Sequence, residues 1–229
     1  MADNTPINLR VKFKKVGNLQ YISHLDLVRT MNKIIVRAAL PLWYTEGFNP
    51  KPKMVFAAPL STGTESMCEY MDIRLTEKMD TDLAKKLLNE NMTDEMQALE
   101  VYYPTSKLTE LKWLSYTIIV SGKDGSRETA EACDRALSKE EIRIVKKTKS
   151  GEAEVDIRPM IKSASAVFDN GNIRISCTLS SDSQSFLNPE YIIKYLKEAC
   201  GIMSSENLLS ESYSIMRESA YFENMESFS

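Results

Sequence analysis

In the first half of the chain, the spacing of apolar residues switches between the period of a strand and the period of a helix. The order of these switches strongly limits the fold. Residues 8–14 alternate polar and apolar side chains, the period of two that is typical of a half-buried strand. Ser23 and Asp26 have capping-box spacing, and apolar side chains then recur at helical spacing to about residue 39. The next predicted elements are strands at about 53–59 and 67–76, a helix at about 80–90 and a strand at about 96–103. This β-α-β-β-α-β order predicts a ferredoxin-like domain.

The second half of the chain repeats this order with an addition. Its predicted elements are a strand at 112–121, a helix at 127–137, a strand at 142–147, a hairpin of 163–168 and 172–179, a helix to about 199 and a strand at 213–216. The segment 154–158 has no counterpart in a simple repeat. The sequence therefore predicts an α+β fold of two tandem ferredoxin-like domains with antiparallel sheets, 1–108 and 109–229, the second one elaborated.

Composition excludes several classes of protein. The 229 residues are 43% hydrophobic and 27% charged, as in an ordinary globular chain. Every apolar run is far shorter than the roughly 18 residues that a membrane span needs. The first residues are polar and contain no apolar core of a signal peptide. We therefore expect a cytoplasmic protein that does not interact with membranes.

The cysteines and the single histidine restrict the available chemistry. Cys68, Cys133, Cys177 and Cys200 are too widely spaced for a C-x-x-C pair or a C-x-x-x-C-x-x-C cluster motif. They are predicted to be reduced thiols, most of them buried. His24 is the chain's one imidazole. The sequence predicts no metal site and no bound cofactor.

The net charge of −3 conceals an uneven distribution along the chain. Residues 1–60 contain nine basic and three acidic side chains, whereas residues 61–110 contain five basic and eleven acidic ones. A basic first quarter in a chain that is nearly neutral favours an anionic partner for that segment.

The alternation in two predicted strands indicates where the basic side chains of this segment lie. Arg10, Lys12 and Lys14 lie opposite the apolar face of the first strand, and Tyr70 and Asp72 lie outward on its predicted neighbour. A basic surface that also carries an aromatic ring is typical of a platform for single-stranded RNA. The alternatives are an ordinary solvated sheet face or the seam between the two domains.

The first predicted helix and the loop after it add further candidates. Arg29, Lys33 and Arg37 are spaced at i, i+4 and i+8, so they form a basic stripe that would follow phosphates or simply face solvent. His24 lies in the first turn, where the positive end of the helix dipole favours a neutral ring that would act as base or ligand. Alternatively, it is an exposed residue beside the cap. The loop after the helix supplies Asn49 and adds Lys51 and Lys53 to the basic residues.

Five motifs follow one another in the first part of the chain. They are G-N-L-Q-Y-I-S-H-L-D-L-V-R from Gly17, R-A-A-L-P from Arg37, Y-T-E-G-F-N-P-K-P-K from Tyr44, A-P-L-S-T-G-T-E-S from Ala58 and E-Y-M-D-I-R-L from Glu69. Together they closely resemble the bacterial radical-SAM-associated domain of unknown function. The chain departs from that family's pattern at Thr45, where serine is frequent, and at Lys51, where histidine is frequent.

The resemblance implies an accessory protein that acts beside a radical S-adenosylmethionine (radical SAM) enzyme. The partner would perform the radical chemistry, and this chain would recognise the substrate, for which RNA is the hypothesis. The motif positions imply that the basic side chains hold anionic groups. The carboxylates would orient or neutralise these basic side chains, and the amide of Asn49 would shape the loop. The residues concerned are His24, Asp26, Arg29, Arg37, Glu46, Asn49, Lys51, Lys53, Glu69 and Asp72.

Two other functions remain open at this point. One is an endoribonuclease that uses His24, resembling the tandem ferredoxin-like enzymes that process CRISPR repeats. That class has a glycine-rich loop near its C-terminus, whereas this chain has only Gly201 after Gly171. The other is a protein-binding scaffold whose basic surface meets an acidic partner and no nucleic acid.

Overall fold

The computed structural model of this chain describes residues 5–122, 125–148, 151–182, 184–204 and 211–229. Residues 1–4 of the polar amino-terminal segment lie outside the described residues. The chain divides into two compact units, Met1–Leu111 with Phe228–Ser229, and Lys112–Ser227. Across the described ranges it contains four α-helices and mostly antiparallel strands, which confirms the predicted α+β class.

The first unit contains four strands and two helices. In chain order they are β1 (Ile7–Lys15), α1 (His24–Arg37), β2 (Met54–Phe56), β3 (Thr64–Leu75), α2 (Thr81–Asn89) and β4 (Ala98–Tyr102). The strands are ordered β4-β1-β3-β2, and each neighbouring pair is antiparallel. Strand β2 is shorter than predicted because Ala58, with φ 37°, leaves the extended region.

The core of the first unit lies between its sheet and its helices. Leu9, Val11 and Phe13 of β1 are completely buried, as the alternation predicts. They pack with Met31 and Ile35 of α1 in one hydrophobic cluster. The core therefore lies on the helix-facing side of the sheet, and the alternate side chains of its strands lie on the other sheet face.

Local hydrogen bonds and backbone geometry set the two ends of α1. The Ser23 hydroxyl accepts a hydrogen bond from the Asp26 amide at 3.1 Å and donates one to the Asp26 carboxylate at 2.7 Å. The helix ends at Arg37, two residues before the predicted end, because Ala39 adopts a left-handed conformation with φ 51°.

The second unit repeats the strand order of the first unit around an additional hairpin. Its elements are β5 (Trp113–Ser121), α3 (Arg127–Leu137), β6 (Arg143–Thr148), β7 (Gly151–Asp156), β8 (Ile161–Asp169), β9 (Asn172–Ser180), α4 (Glu190–Cys200) and β10 (Ser212–Tyr221). The main strands are ordered β10-β5-β9-β8, whereas β6 and β7 form a separate two-stranded sheet. Segment 154–158, unexplained by the sequence pattern, therefore begins in the second strand of this hairpin.

Within the described ranges, no helix is both long enough and apolar enough to span a membrane.

Replacing Ser23 by alanine is expected to lower the free energy of unfolding by about 1 kcal/mol, because the Asp26 amide loses its capping acceptor. Urea denaturation followed by circular dichroism measures the change. The control is Ser23→Asn, which keeps an acceptor at the cap and should stay close to the parent protein. Equal stability of the alanine variant and the parent would contradict this account of the α1 start.

Candidate functional site

A buried ion pair joins the two central strands of the first unit. Arg10 of β1 and Asp72 of β3 are cross-strand neighbours. Arg10 Nε donates to Asp72 Oδ1 at 2.7 Å, and Arg10 Nη2 donates to Asp72 Oδ2 at 3.0 Å. Burial lowers the pKa of Arg10, but the hydrogen bond and the charge of Asp72 outweigh it and leave the pKa raised. The pair is therefore bidentate and charged.

The remaining donors of this guanidinium bind a loop and the last residue of the chain. Arg10 Nη1 donates to Ser106 Oγ at 2.7 Å and to the Ser229 carbonyl oxygen at 3.1 Å, and Nη2 donates to the Ser106 carbonyl at 2.9 Å. The Ser106 hydroxyl also donates to the Ser229 oxygen. Because a buried cation needs partners for its N–H groups, these contacts are part of what makes its burial tolerable.

The ring of Phe228 completes this arrangement. It is 3% exposed and lies edge-on to the Tyr70 ring, with the centroids 5.0 Å apart. The Arg10 guanidinium carbon lies 5.0 Å from the Phe228 centroid, and the Tyr70 hydroxyl donates to the Phe228 carbonyl at 3.1 Å. Burial raises the pKa of Tyr70, so its phenol stays protonated and able to donate. We call the surroundings of Phe228–Ser229, formed by Arg10, Tyr70, Asp72 and Ser106, the Phe228 site.

The prediction of an exposed platform on β1 and β3 is wrong at this position. Arg10, Tyr70 and Asp72 are buried. The physical cause is the cover that Ser106 and Phe228–Ser229 provide over Arg10 and Tyr70, which no local pattern in the strands could reveal. Glu69 is also buried, but on the opposite face, where it is the cross-strand neighbour of Phe13. The alternation itself is right, but it does not determine whether the second face meets solvent.

The two remaining lysines of the predicted platform are only partly exposed. Lys12 Nζ donates to Glu100 of β4 at 2.6 Å, and Lys14 is half-buried. Lys12 therefore neutralises a neighbouring carboxylate on the same sheet. These lysines do not form a continuous basic surface with Arg10.

The basic stripe of α1 lies on the helix surface as predicted. Arg29, Lys33 and Arg37 are exposed, with 65% of the Arg29 side chain accessible. Arg29 Nη1 lies 3.2 Å from Asp26 Oδ1. Hydrogen bonds from Ser23 and Arg29 lower the pKa of Asp26, so this carboxylate is charged and bound to its own helix.

His24 is exposed at the start of α1 and packs against an aromatic ring. Its imidazole lies edge-on to Phe56 of β2, with the ring centroids 5.5 Å apart and the planes at 86°. The resemblance implies that Asp26 orients either His24 or Arg29, and the described contacts include the one with Arg29, at 3.2 Å. The geometry around His24 supports packing of the α1 start against β2.

A loop between α1 and β2 carries the other predicted residues. We call residues 43–53 the 43–53 loop. Its two arms are joined by the Thr45 amide to the Lys51 carbonyl at 2.9 Å, the Lys51 amide to the Thr45 hydroxyl at 3.1 Å and the Lys53 amide to the Trp43 carbonyl at 3.2 Å. Glu46, Asn49, Lys51 and Lys53 are all exposed on it.

The 43–53 loop also displays aromatic rings that the sequence analysis missed. Phe48 at the tip is fully exposed, and Tyr44 is substantially exposed. Lys53 Nζ lies 5.5 Å from the centroid of the Trp43 ring. A usable signal was present, because Phe48 stands between Gly47 and the Asn49-Pro50 turn pair, where a side chain has no strand or helix to pack it inward.

Cysteine and carboxylate side chains are common ligands of metal ions in proteins. Cys68, Cys133 and Cys177 are buried free thiols and Cys200 is half-buried, which confirms the predicted mostly buried state. Burial raises the pKa of Cys177 to about 12. In the part of the chain that the structure describes, no three His, Cys, Asp or Glu side chains group closely enough to hold a metal ion.

Comparisons with known proteins give a family match and distant structural likenesses. A family model described as "Uncharacterized protein conserved in bacteria (DUF2344)" matches residues 8–189. No curated protein matches the chain.

Three solved structures illustrate how distant the structural likenesses are. An unknown protein from Galdieria sulphuraria has 11% identity and TM-score 0.26, covering 93% of this chain and 99% of its own. The first two RRM domains of yeast poly(U)-binding protein Pub1 have 12% identity and TM-score 0.24, covering 92% and 98%. A DypB variant in complex with manganese has 9% identity and TM-score 0.21, covering 93% of each chain. These TM-scores are too low to assign a fold or a function to this chain.

Replacing Asp72 by asparagine is expected to lower the free energy of unfolding by about 3–5 kcal/mol, because it leaves the buried Arg10 guanidinium without its countercharge. Chemical denaturation measures the loss. The matched control is Glu100→Gln, which removes the neighbouring Lys12 ion pair. Its carboxylate is 56% exposed, so a change below about 1 kcal/mol is expected. Equal losses in the two variants would show that burial of the Arg10 pair has no special weight.

Proposed function

The chain belongs to the DUF2344 family of bacterial proteins, and we propose that its first unit binds single-stranded RNA as a non-catalytic accessory of a radical SAM enzyme. The binding surface in this proposal consists of the α1 stripe, Arg29, Lys33 and Arg37, together with the 43–53 loop. The observation that carries the proposal is the full exposure of Phe48 on a loop that also displays Lys51 and Lys53.

The exposed ring of Phe48 is the main argument for an unpaired base as the ligand. The hydrogen bonds between the arms of the loop hold the tip in a defined conformation without burying this ring. Stacking of a base on an aromatic side chain contributes about 1–3 kcal/mol and requires no particular base. Paired bases in an RNA helix do not offer a free face, so Phe48 favours single strands.

The charges near this ring suit a phosphate backbone. Lys51 and Lys53 are exposed on the same loop, and the α1 stripe ends at Arg37, six residues before the loop begins. Successive cations of the stripe are about 6 Å apart along the helix axis. The Arg29–Asp26 ion pair is exposed, and such pairs are weak enough to exchange with a phosphate.

The accessory role follows from the motif resemblance and from how His24 is used. The motifs from Gly17 to Leu75 are the basis for naming a radical SAM enzyme as partner. His24 packs on Phe56, which supports a structural role more than that of a nuclease acid or base. In this proposal the partner supplies the reaction and the first unit holds the RNA.

We also propose that the two units are tandem ferredoxin-like domains. The support is the strand order, β4-β1-β3-β2 in the first unit and β10-β5-β9-β8 in the second, which correspond once the β6–β7 hairpin is set aside.

Replacing Phe48 by alanine is expected to weaken binding of a fluorescein-labelled oligouridylate about tenfold, since one stacking contact is lost. Fluorescence anisotropy at low salt measures the affinity. The control is Phe168→Ala, which removes another exposed phenylalanine, on β8, and should leave binding unchanged. The double variant Lys51→Ala/Lys53→Ala should instead lower the magnitude of the slope of log affinity against log salt by about 1.4.

Three outcomes would contradict the proposal. Absence of binding at low salt would exclude RNA and favour the protein scaffold, because phosphate-driven affinity is highest there. Equal affinity for a duplex would exclude base stacking on Phe48. RNA cleavage that disappears in His24→Ala would replace the accessory role by a nuclease.

A further inference from the structure

We propose that the Phe228 site is a peptide-binding site that recognises the ring of an aromatic residue together with the main chain of that residue and the next one. In this chain the site is occupied by Phe228–Ser229, and the partner that it fits is an extended peptide segment of the same chemistry from another protein. This inference concerns the buried sheet face of the first unit and does not depend on RNA binding by the 43–53 loop.

The polar contacts of the site are ones that any peptide could make. Tyr70 donates its hydroxyl hydrogen to the Phe228 carbonyl at 3.1 Å, and Arg10 donates to the Ser229 oxygen at 3.1 Å. Ser106 donates to the same Ser229 oxygen. All three therefore bind main-chain oxygens of two successive residues. This fixes the position of a short extended segment without reading its side chains.

Selectivity comes from the pocket for the ring. The Phe228 ring lies perpendicular to the Tyr70 ring, with the centroids 5.0 Å apart, and the Arg10 guanidinium carbon lies 5.0 Å from the Phe228 centroid. A cation near the face of a desolvated aromatic ring is a favourable contact that an aliphatic side chain cannot replace. An aromatic residue is therefore required at the position of Phe228.

The ion pair that positions the guanidinium of the site is formed between two strands of the sheet and does not include the occupant. Arg10 and Asp72 are paired in the register of β1 and β3, and their bidentate ion pair holds the guanidinium in place. Preorganised groups lose little conformational freedom on binding, which favours affinity for a short ligand.

There is also room beside the occupant for a longer ligand. A cavity of about 410 Å³ lies next to Ser229 and is lined by Lys85, Leu99, Glu100 and Tyr102. A peptide that continues past its serine would enter this cavity. Since Phe228–Ser229 is part of the same molecule, it competes at an effective concentration of about millimolar, so a partner peptide would need to be held nearby.

The test uses a chain from which Phe228 and Ser229 are deleted, with two fluorescein-labelled peptides, Glu-Ser-Phe-Ser and Glu-Ser-Ala-Ser. The shortened chain should bind the phenylalanine peptide at least about tenfold more tightly than the alanine peptide. The full chain should bind the phenylalanine peptide at least about tenfold more weakly than the shortened chain, because its own residues fill the site. Tyr70→Phe in the shortened chain should weaken binding several-fold through loss of one hydrogen bond.

A folded shortened chain that shows no preference between the peptides would overturn the proposal, as would a full chain that binds as tightly as the shortened one. If the deletion prevents folding, the phenylalanine peptide should restore the thermal unfolding transition and the alanine peptide should not. Failure of that selective rescue would also overturn it. Oligouridylate binding by the full chain is measured in a separate experiment. Absence of RNA binding would therefore not affect the interpretation of the peptide measurements.

Discussion

The Arg10–Asp72 ion pair constrains much of the first unit. A guanidinium that is removed from water must have its charge balanced and its N–H groups hydrogen-bonded, because either deficit costs several kcal/mol. Asp72 balances the charge, while Ser106 and Ser229 accept the remaining hydrogen bonds. The positions of the loop after β4 and of the last two residues are therefore tied to one side chain in β1.

The basic side chains of residues 1–60 fall into two groups, those that are buried or paired within the sheet and those that are exposed. Arg10 is internal, and Lys12 is engaged with Glu100 on the same sheet face. Arg29 on α1 and Lys51 in the loop are exposed, as are their basic neighbours on the same two elements. Charges that stabilise the fold and charges open to a ligand thus lie on different elements, although they are adjacent in sequence. Residues 1–60 do carry an excess of basic side chains, but fewer of them are exposed to a ligand than the count of charges suggests.

Local patterns predicted what depends on local physics. The period of two correctly buried Leu9 and Phe13, and the cap at Ser23 correctly started α1. Whether the sheet face opposite the core is buried could not be predicted, because its cover includes Phe228. This residue is distant in sequence and belongs to no periodic pattern. The candidate cations of α1 and the 43–53 loop were found, whereas Phe48 was overlooked because an aromatic residue is ordinarily assigned to a core.

The two sites of the first unit make different physical demands. The ring of Phe228 is buried in preorganised surroundings, so in our proposal the site selects a ring by its shape and a backbone by its carbonyl oxygens. The 43–53 loop is exposed to water, where single ion pairs are weak and affinity must come from several cations and a stacked ring. A flexible polyanion suits the second surface and a short peptide suits the first. Because Phe228–Ser229 covers Arg10 and Tyr70 on the sheet face, the RNA binding that we propose for this unit relies on the helix and the loop.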